Sequence, residues 1–163
     1  MKILLITEKV DKNDEIFGYF HGRILDFLPH CEKLTILCLE ENQHSISDNV
    51  KILSLGKEKK QSRIRYIFNF YRFIWSERKN YDTVFVHMAP VWIVMGGFIW
   101  RLLGKKIVLW YSHKFVDWKL RVAEFFATLV LTPSENSFRI KSKKVHVTHN
   151  ALDLQAFLED SRV

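Results

Sequence analysis

The sequence predicts an α/β domain built on a parallel sheet flanked by helices, and three observations lead there. Short apolar runs recur at residues 2–7, 33–39, 50–55, 83–87, 106–111, 128–132 and 144–148, each the length of a buried strand. Segments with apolar residues at helical spacing separate most of them. Strand and helix patterns therefore alternate, and right-handed crossovers between successive strands make them parallel.

The elements follow in order. Residues 2–7 form the first strand, and the charged stretch 8–15 is expected as a loop. A helix beginning near Ile16 repeats Phe17, Phe20, Ile24, Phe27 and Leu28 at helical spacing and ends at Pro29. Strands at 33–39 and 50–55 flank a polar loop, and Gly56 closes the second of them. A helix over 61–79 follows, then a strand at 83–87 and a helix near 90–103 that opens at Pro90 and closes at Gly104. Strand 106–111, helix 117–127, strand 128–132, a short helix 134–140 opened by Ser134 as its cap, and strand 144–148 complete the pattern.

Composition narrows the function classes. With 163 residues, 48% of them hydrophobic and 14% aromatic, the chain has material for a real core and is not a disordered segment. A net charge of +7 favours an anionic partner: phosphate groups, an acidic lipid surface or nucleic acid. Cys31 and Cys38 lack the spacing of a zinc or redox pair and read as reduced thiols, and the apolar start is too short for a signal peptide, so a cytoplasmic setting is expected. Residues 83–100 carry no formal charge, but β-rich residues, Pro90 and the Gly96-Gly97 pair make strand, loop and buried helix the better reading than a membrane span.

In a parallel sheet, ligands bind at the carboxyl ends of the strands. Three consecutive runs end in polar residues there: His87, His113 and Ser134. Imidazole can donate or accept a hydrogen bond to a sugar hydroxyl, or act as acid or base near neutral pH, so His87 and His113 are the catalytic candidates. Ser134 serves equally as a helix cap, and His21 on the first helix is a weaker substrate-binding candidate. Gly18 either lets the first loop approach a ligand phosphate or merely eases entry to the helix. Walker and G-x-G-x-x-G loops, a G-x-S-x-G serine and a metal-ligand constellation are absent from the sequence, so no metal or cofactor is expected.

The helix over 61–79 carries two apolar stripes. Ile64, Ile67, Phe68, Tyr71, Ile74 and Trp75 are expected to pack on the sheet, leaving Tyr66, Phe70 and Phe73 outward among Arg65, Arg72 and other basic residues. Rings and cations on one outer face suit an anionic membrane surface, with Arg65, Tyr66, Phe70, Arg72 and Phe73 as the contacts. Burial under another segment, and stacking on single-stranded nucleic acid, remain as alternatives, the last without a supporting motif.

Several segments together resemble the N-terminal half of a family 4 glycosyltransferase of the GT-B fold. They are MKILLIT at 1–7, NYDTVFVHMAP at 80–90, GKKIVLWYSHK at 104–114, LTPSENSFRIKSKKVHV at 131–147 and THNALDLQAF at 148–157. The resemblance implies a Rossmann-like domain over 1–150, one half of a GT-B architecture, with 151–163 starting the linker to a second domain. It implies a retaining transfer of a hexose from a nucleotide sugar to a glycan or lipid-linked acceptor, without a metal. His113 would lie near the transferred sugar, Gly18 near the donor phosphates, and Lys114, Ser134 and Asn150 would join Gly18 and His21 in binding substrate. The basic aromatic helix would dock on the membrane bearing the acceptor, as a peripheral contact on its inner face. Asn150 and Ser137 depart from the glycines common in related sequences. The second domain, which normally holds the nucleotide and a pair of glutamates, is not in this chain, so the polypeptide is expected to be inactive alone. A non-catalytic membrane adaptor, or the partner subunit of a split glycosyltransferase, is the competing expectation.

Overall fold

A computed structural model of the chain describes residues 1–16, 18–47 and 50–148. Its strands are β1 (Lys2–Val10), β2 (Lys33–Glu41), β3 (Lys51–Ser54), β4 (Thr83–His87), β5 (Lys106–Trp110), β6 (Leu129–Thr132) and β7 (Val145–Val147). The helices are α1 (Gly18–Phe27), α2 (Arg63–Ser76), α3 (Val91–Leu102) and α4 (Trp118–Phe126), with single 3-10 turns at Leu28–His30, Lys57–Lys59 and Glu135–Ser137. The strands form a seven-stranded sheet in the order β3-β2-β1-β4-β5-β6-β7, flanked by helices as expected. The chain clusters into two compact units, Met1–Val84 and the part from Phe85 onward. Phe17, Asn150 and the predicted linker at 151–163 lie outside the described residues.

In the first unit β1 pairs in parallel with β2, from Lys2 opposite Lys33 to Val10 opposite Glu41, and β2 pairs in parallel with β3. Ile3, Leu4, Leu5 and Ile6 are all buried, as befits a parallel strand covered on both faces. β1 runs three residues past its predicted end. Its charged tail continues the strand because Val10 is buried and Lys9 is neutralised in place by Asp14 at 2.8 Å and by Asp11 and Glu40 at 3.4 Å each. α1 buries Phe20, His21, Ile24 and Phe27 along one stripe, and Pro29 sits in the 3-10 turn that ends it. Cys31 and Cys38 are free thiols.

Ile74 is buried as expected, but the rest of α2 has its faces reversed. Phe70 and Ile74 are buried and Tyr66 and Phe73 half-buried, whereas Ile64 (80% exposed), Phe68 (65%), Trp75 (54%), Ile67 and Tyr71 face outward. Phe70 therefore cannot be a membrane contact, and only Arg65 and Arg72 of the five expected contacts are exposed. Both stripes share the helical period, so spacing alone does not choose between them. Polar ties do: Asn69 Nδ2 donates to Leu55 O, Tyr81 OH donates to Ile74 O, and Lys51 Nζ pairs with Glu77 Oε1 at 2.5 Å. Each fastens the Phe70 and Ile74 side of the helix inward. Burial works against the Glu77 charge, but Lys51 and Asn80 outweigh it and hold the carboxyl below its usual range.

In the second unit β5, β6 and β7 pair in parallel. α3 buries Trp92, Ile93, Gly96, Gly97 and Trp100. A methyl group on Gly97 would lie 2.8 Å from the Phe126 ring of α4, so the glycine is what lets the two helices close on each other. Gly97→Ala is expected to cost about 1–3 kcal/mol, the usual penalty of overpacking. A thermal melt should show the midpoint falling by about 2–4 °C per kcal/mol lost.

Asp117 caps α4 by accepting the Leu120 N–H at 2.8 Å. The short helix predicted at 134–140 is instead one 3-10 turn. Phe138 adopts an extended backbone and is buried edge-on against Tyr111, with ring centroids 6.0 Å apart, which draws the chain out of helix. Among the described residues no helix is long and apolar enough to cross a membrane.

Candidate functional site

The second unit holds the strand-end cluster. His87, last in β4, is buried and stacks on Trp110, last in β5, with centroids 5.1 Å apart and planes 18° apart. Met88 then turns through a left-handed backbone (φ 63°), unusual for a residue with a side chain. Two bonds hold that turn: the Met88 N–H donates to Trp110 O at 2.8 Å, and the Ser112 hydroxyl meets the Met88 sulfur at 3.2 Å. The left-handed turn lets the chain leave β4 and enter α3 within four residues.

His87 and His113 are thus different groups. Burial alone pushes the His87 imidazole down to about 3, so it is neutral at physiological pH as it stacks on Trp110. At 7% exposure the ring offers little surface to a substrate, unlike the open imidazole expected at this position. His113 is exposed, its ring edge-on to Tyr111 at 5.7 Å, and Lys114 beside it is exposed as well. Tyr111 OH donates to Phe115 O at 2.8 Å and so fixes the loop that carries both. An exposed imidazole on an anchored loop can exchange hydrogen bonds with hydroxyl groups.

Ser134 follows β6, but its hydroxyl pairs with that of Ser137 at 2.8 Å instead of capping a helix. It stays half-exposed at the end of its strand. The predicted contact at Asn150 lies outside the described residues.

The first unit gathers its own strand-end loops. The loop after β2 is tied to the loop after β1 through Lys12 N–H to Gln43 O at 2.8 Å and Asn13 Nδ2 to Gln43 Oε1 at 2.9 Å. The buried His21 joins this knot, accepting the Ser45 N–H on Nε2 at 3.2 Å, which requires that nitrogen to be unprotonated. Burial, then the nearby His44 and Lys12, lower its pKa. Gly18 donates its N–H to Asp14 O at 2.8 Å, and a methyl group there would sit 3.0 Å from Lys12 O. The space beside Gly18 lies against the chain's own loop, and the His21 ring is likewise bonded to the loop.

Among the described residues no three His, Cys, Asp or Glu side chains are grouped to hold a metal ion. Sequence reasoning missed Trp110 and Met88. A tryptophan closing a buried strand reads as core, and nothing in the residue type of Met88 marks a left-handed turn.

No protein-family model matches the chain, and no curated protein matches it by sequence. Solved structures do. HepE of Anabaena, in complex with UDP, aligns with a TM-score of 0.63 at 16% identity over 96% of this chain and 46% of its own. MurG of Acinetobacter baumannii aligns at 0.57 and 15% identity over 91% of this chain and 46% of its own. A UDP-N-acetylglucosamine 2-epimerase aligns at 0.56 and 11% identity over 90% and 48%. The chain thus spans about half the length of the structures it matches. At such identities the likeness is one of fold: a Rossmann-like domain of the kind that makes up one half of a GT-B architecture.

Proposed function

We propose that this chain is the acceptor-side half of a glycosyltransferase that moves a hexose from a nucleotide sugar to a glycan or lipid-linked acceptor, with retention and without a metal. The observation that carries the reading is the exposed His113 at the carboxyl end of β5 in a fold shared with HepE, a protein captured with UDP-glucose. His113 hydrogen-bonds a hydroxyl of the sugar or acceptor, and Lys114 supplies positive charge beside it. His87 is a positioning residue, holding Trp110 and through it the Met88 turn. The chain covers less than half of HepE, so the reading leaves donor binding to a second domain and the isolated polypeptide inactive. The exposed aromatic and basic residues of α2 carry a second reading, a non-catalytic subunit that recruits a separate catalytic chain to the membrane.

NMR of the histidine rings, with a glycolipid fraction in detergent micelles titrated into the chain, tests the contact. The His113 ring resonances should move saturably while the shielded His87 ring does not. A His113 ring that stays fixed at saturating glycolipid removes it from the acceptor site.

We further propose that α2 is a peripheral contact with an anionic membrane, through its exposed face. Ile64, Phe68, Tyr71 and Trp75 present apolar area, and Arg63, Arg65 and Arg72 present charge. Replacing Ile64, Phe68 and Trp75 together by serine should weaken partitioning onto phosphatidylglycerol vesicles at least roughly tenfold, given about 1.5–3 kcal/mol for each fully buried large apolar side chain. Co-sedimentation measures it, and unchanged partitioning removes α2 from the interface.

A further inference from the structure

We propose that α4 and the loop before it form a second lipid-contacting face, on the second unit, which places Phe115, Trp118 and Phe125 in the headgroup layer of an anionic membrane. These rings are 71%, 63% and 70% exposed. Trp118 and Phe125 are seven residues apart, two helical turns, and so share one face of α4. Their backbone is fixed: Phe115 O accepts the Tyr111 hydroxyl at 2.8 Å, and Asp117 caps the helix. Phe125 is edge-on to Phe126, with centroids 5.2 Å apart, and Phe126 packs on Gly97 of α3. Rings held out on an ordered backbone bind without first paying to order themselves.

The charges around the rings select the partner. Lys114, Lys119 and Arg121 are exposed. Both carboxylates of the segment are already engaged: Asp117 in the cap, and Glu124 with the Ser142 hydroxyl at 2.6 Å and Lys144 Nζ at 3.6 Å. What the segment offers outward is apolar rings and positive charge, with no free carboxylate to repel lipid phosphate. Aromatic rings at headgroup depth flanked by cations are the signature of an interfacial contact. An acidic peptide would satisfy the cations but leave the large rings in water. This face lies on a different element from the α2 contact and does not rest on the glycosyltransferase reading.

Bromolipid quenching in a W75F background tests it. That substitution removes the α2 indole, and Trp92, Trp100 and Trp110 are buried, so Trp118 is the exposed indole that remains. Phosphatidylglycerol vesicles with brominated chains should quench W75F and leave W75F/W118F unquenched, and neutral phosphatidylcholine vesicles should quench neither. Changing Lys114, Lys119 or Arg121 to glutamine should weaken partitioning roughly fivefold per residue. If W75F co-sediments with the vesicles but shows no quenching, α2 binds alone and the second face is wrong. If the native chain does not co-sediment at all, both contacts are wrong. Trp118 emission that shifts with polyglutamate but not with vesicles assigns the face to an acidic protein and overturns the lipid contact.

Discussion

Lowering the pH from 7 to 4 is expected to strip about 3 kcal/mol from the folded chain through His87 alone. Burial depresses the His87 pKa to about 3, well below the unfolded value of 6.5. Between those values the unfolded chain binds a proton that the folded chain refuses, so stability rises with pH. The contribution is complete above about pH 6.5 and drains at about 1.4 kcal/mol per pH unit as the pH falls toward 3. His21, also depressed by burial, acts in the same direction. The carboxyls held low, Glu77, Glu40 and Asp11, lose their contribution only as the pH falls through the acid range below about 4.5. The window from 6.5 to 4.5 therefore belongs to the histidines. Urea unfolding at pH 7 and pH 5 should show about 2 kcal/mol of that loss in the native chain and a clearly smaller one in His87→Gln. The readout is the difference between the two pH values, which a simple loss of packing against Trp110 would not change. Equal pH sensitivity in the two proteins would mean that His87 is reached by water.

His113→Ala, in the chain supplied with a donor-binding domain, is expected to lower sugar transfer on the order of a hundredfold, the effect of removing one positioned hydrogen-bonding or proton-transferring group. The side chain is exposed, so the substitution should leave the melting temperature unchanged. Asparagine, which restores a donor and an acceptor without a titrating group, should recover part of the loss. A kcat that falls with the KM for the nucleotide sugar unchanged fits a group acting on the transferred sugar or acceptor. Full activity in His113→Ala would leave the strand-end cluster with a structural role only.

The strands were legible because a parallel sheet buries whole apolar runs, and all seven runs from 2–7 to 144–148 hold strands. Strand ends were less so, since the extension of β1 depends on Asp14 and Glu40 reaching Lys9, contacts that no local pattern displays. The face of α2 was misread for a sharper reason. Aromatic stripes on both sides satisfy the same period, and the choice between them was made by Asn69, Glu77 and Tyr81, polar groups that spacing ignores. At the site, His87 is the last residue of β4, whereas His113 lies three residues beyond the end of β5. They differ because Trp110 covers one ring while the other follows a strand that has already ended. Side-chain type brought both to the carboxyl ends of neighbouring strands, and only packing separated a buried ring from an exposed one.

The measurement that bears most directly on the central claim is sugar transfer itself. A panel of nucleotide sugars with membrane extract as acceptor would be assayed with the chain alone, and with the chain supplied with a β-α domain carrying the paired glutamates. The account predicts transfer by the pair and none by the 163-residue chain alone. Silence from the pair, with vesicle binding intact, would contradict it and make the chain a membrane-bound subunit without a part in the chemistry.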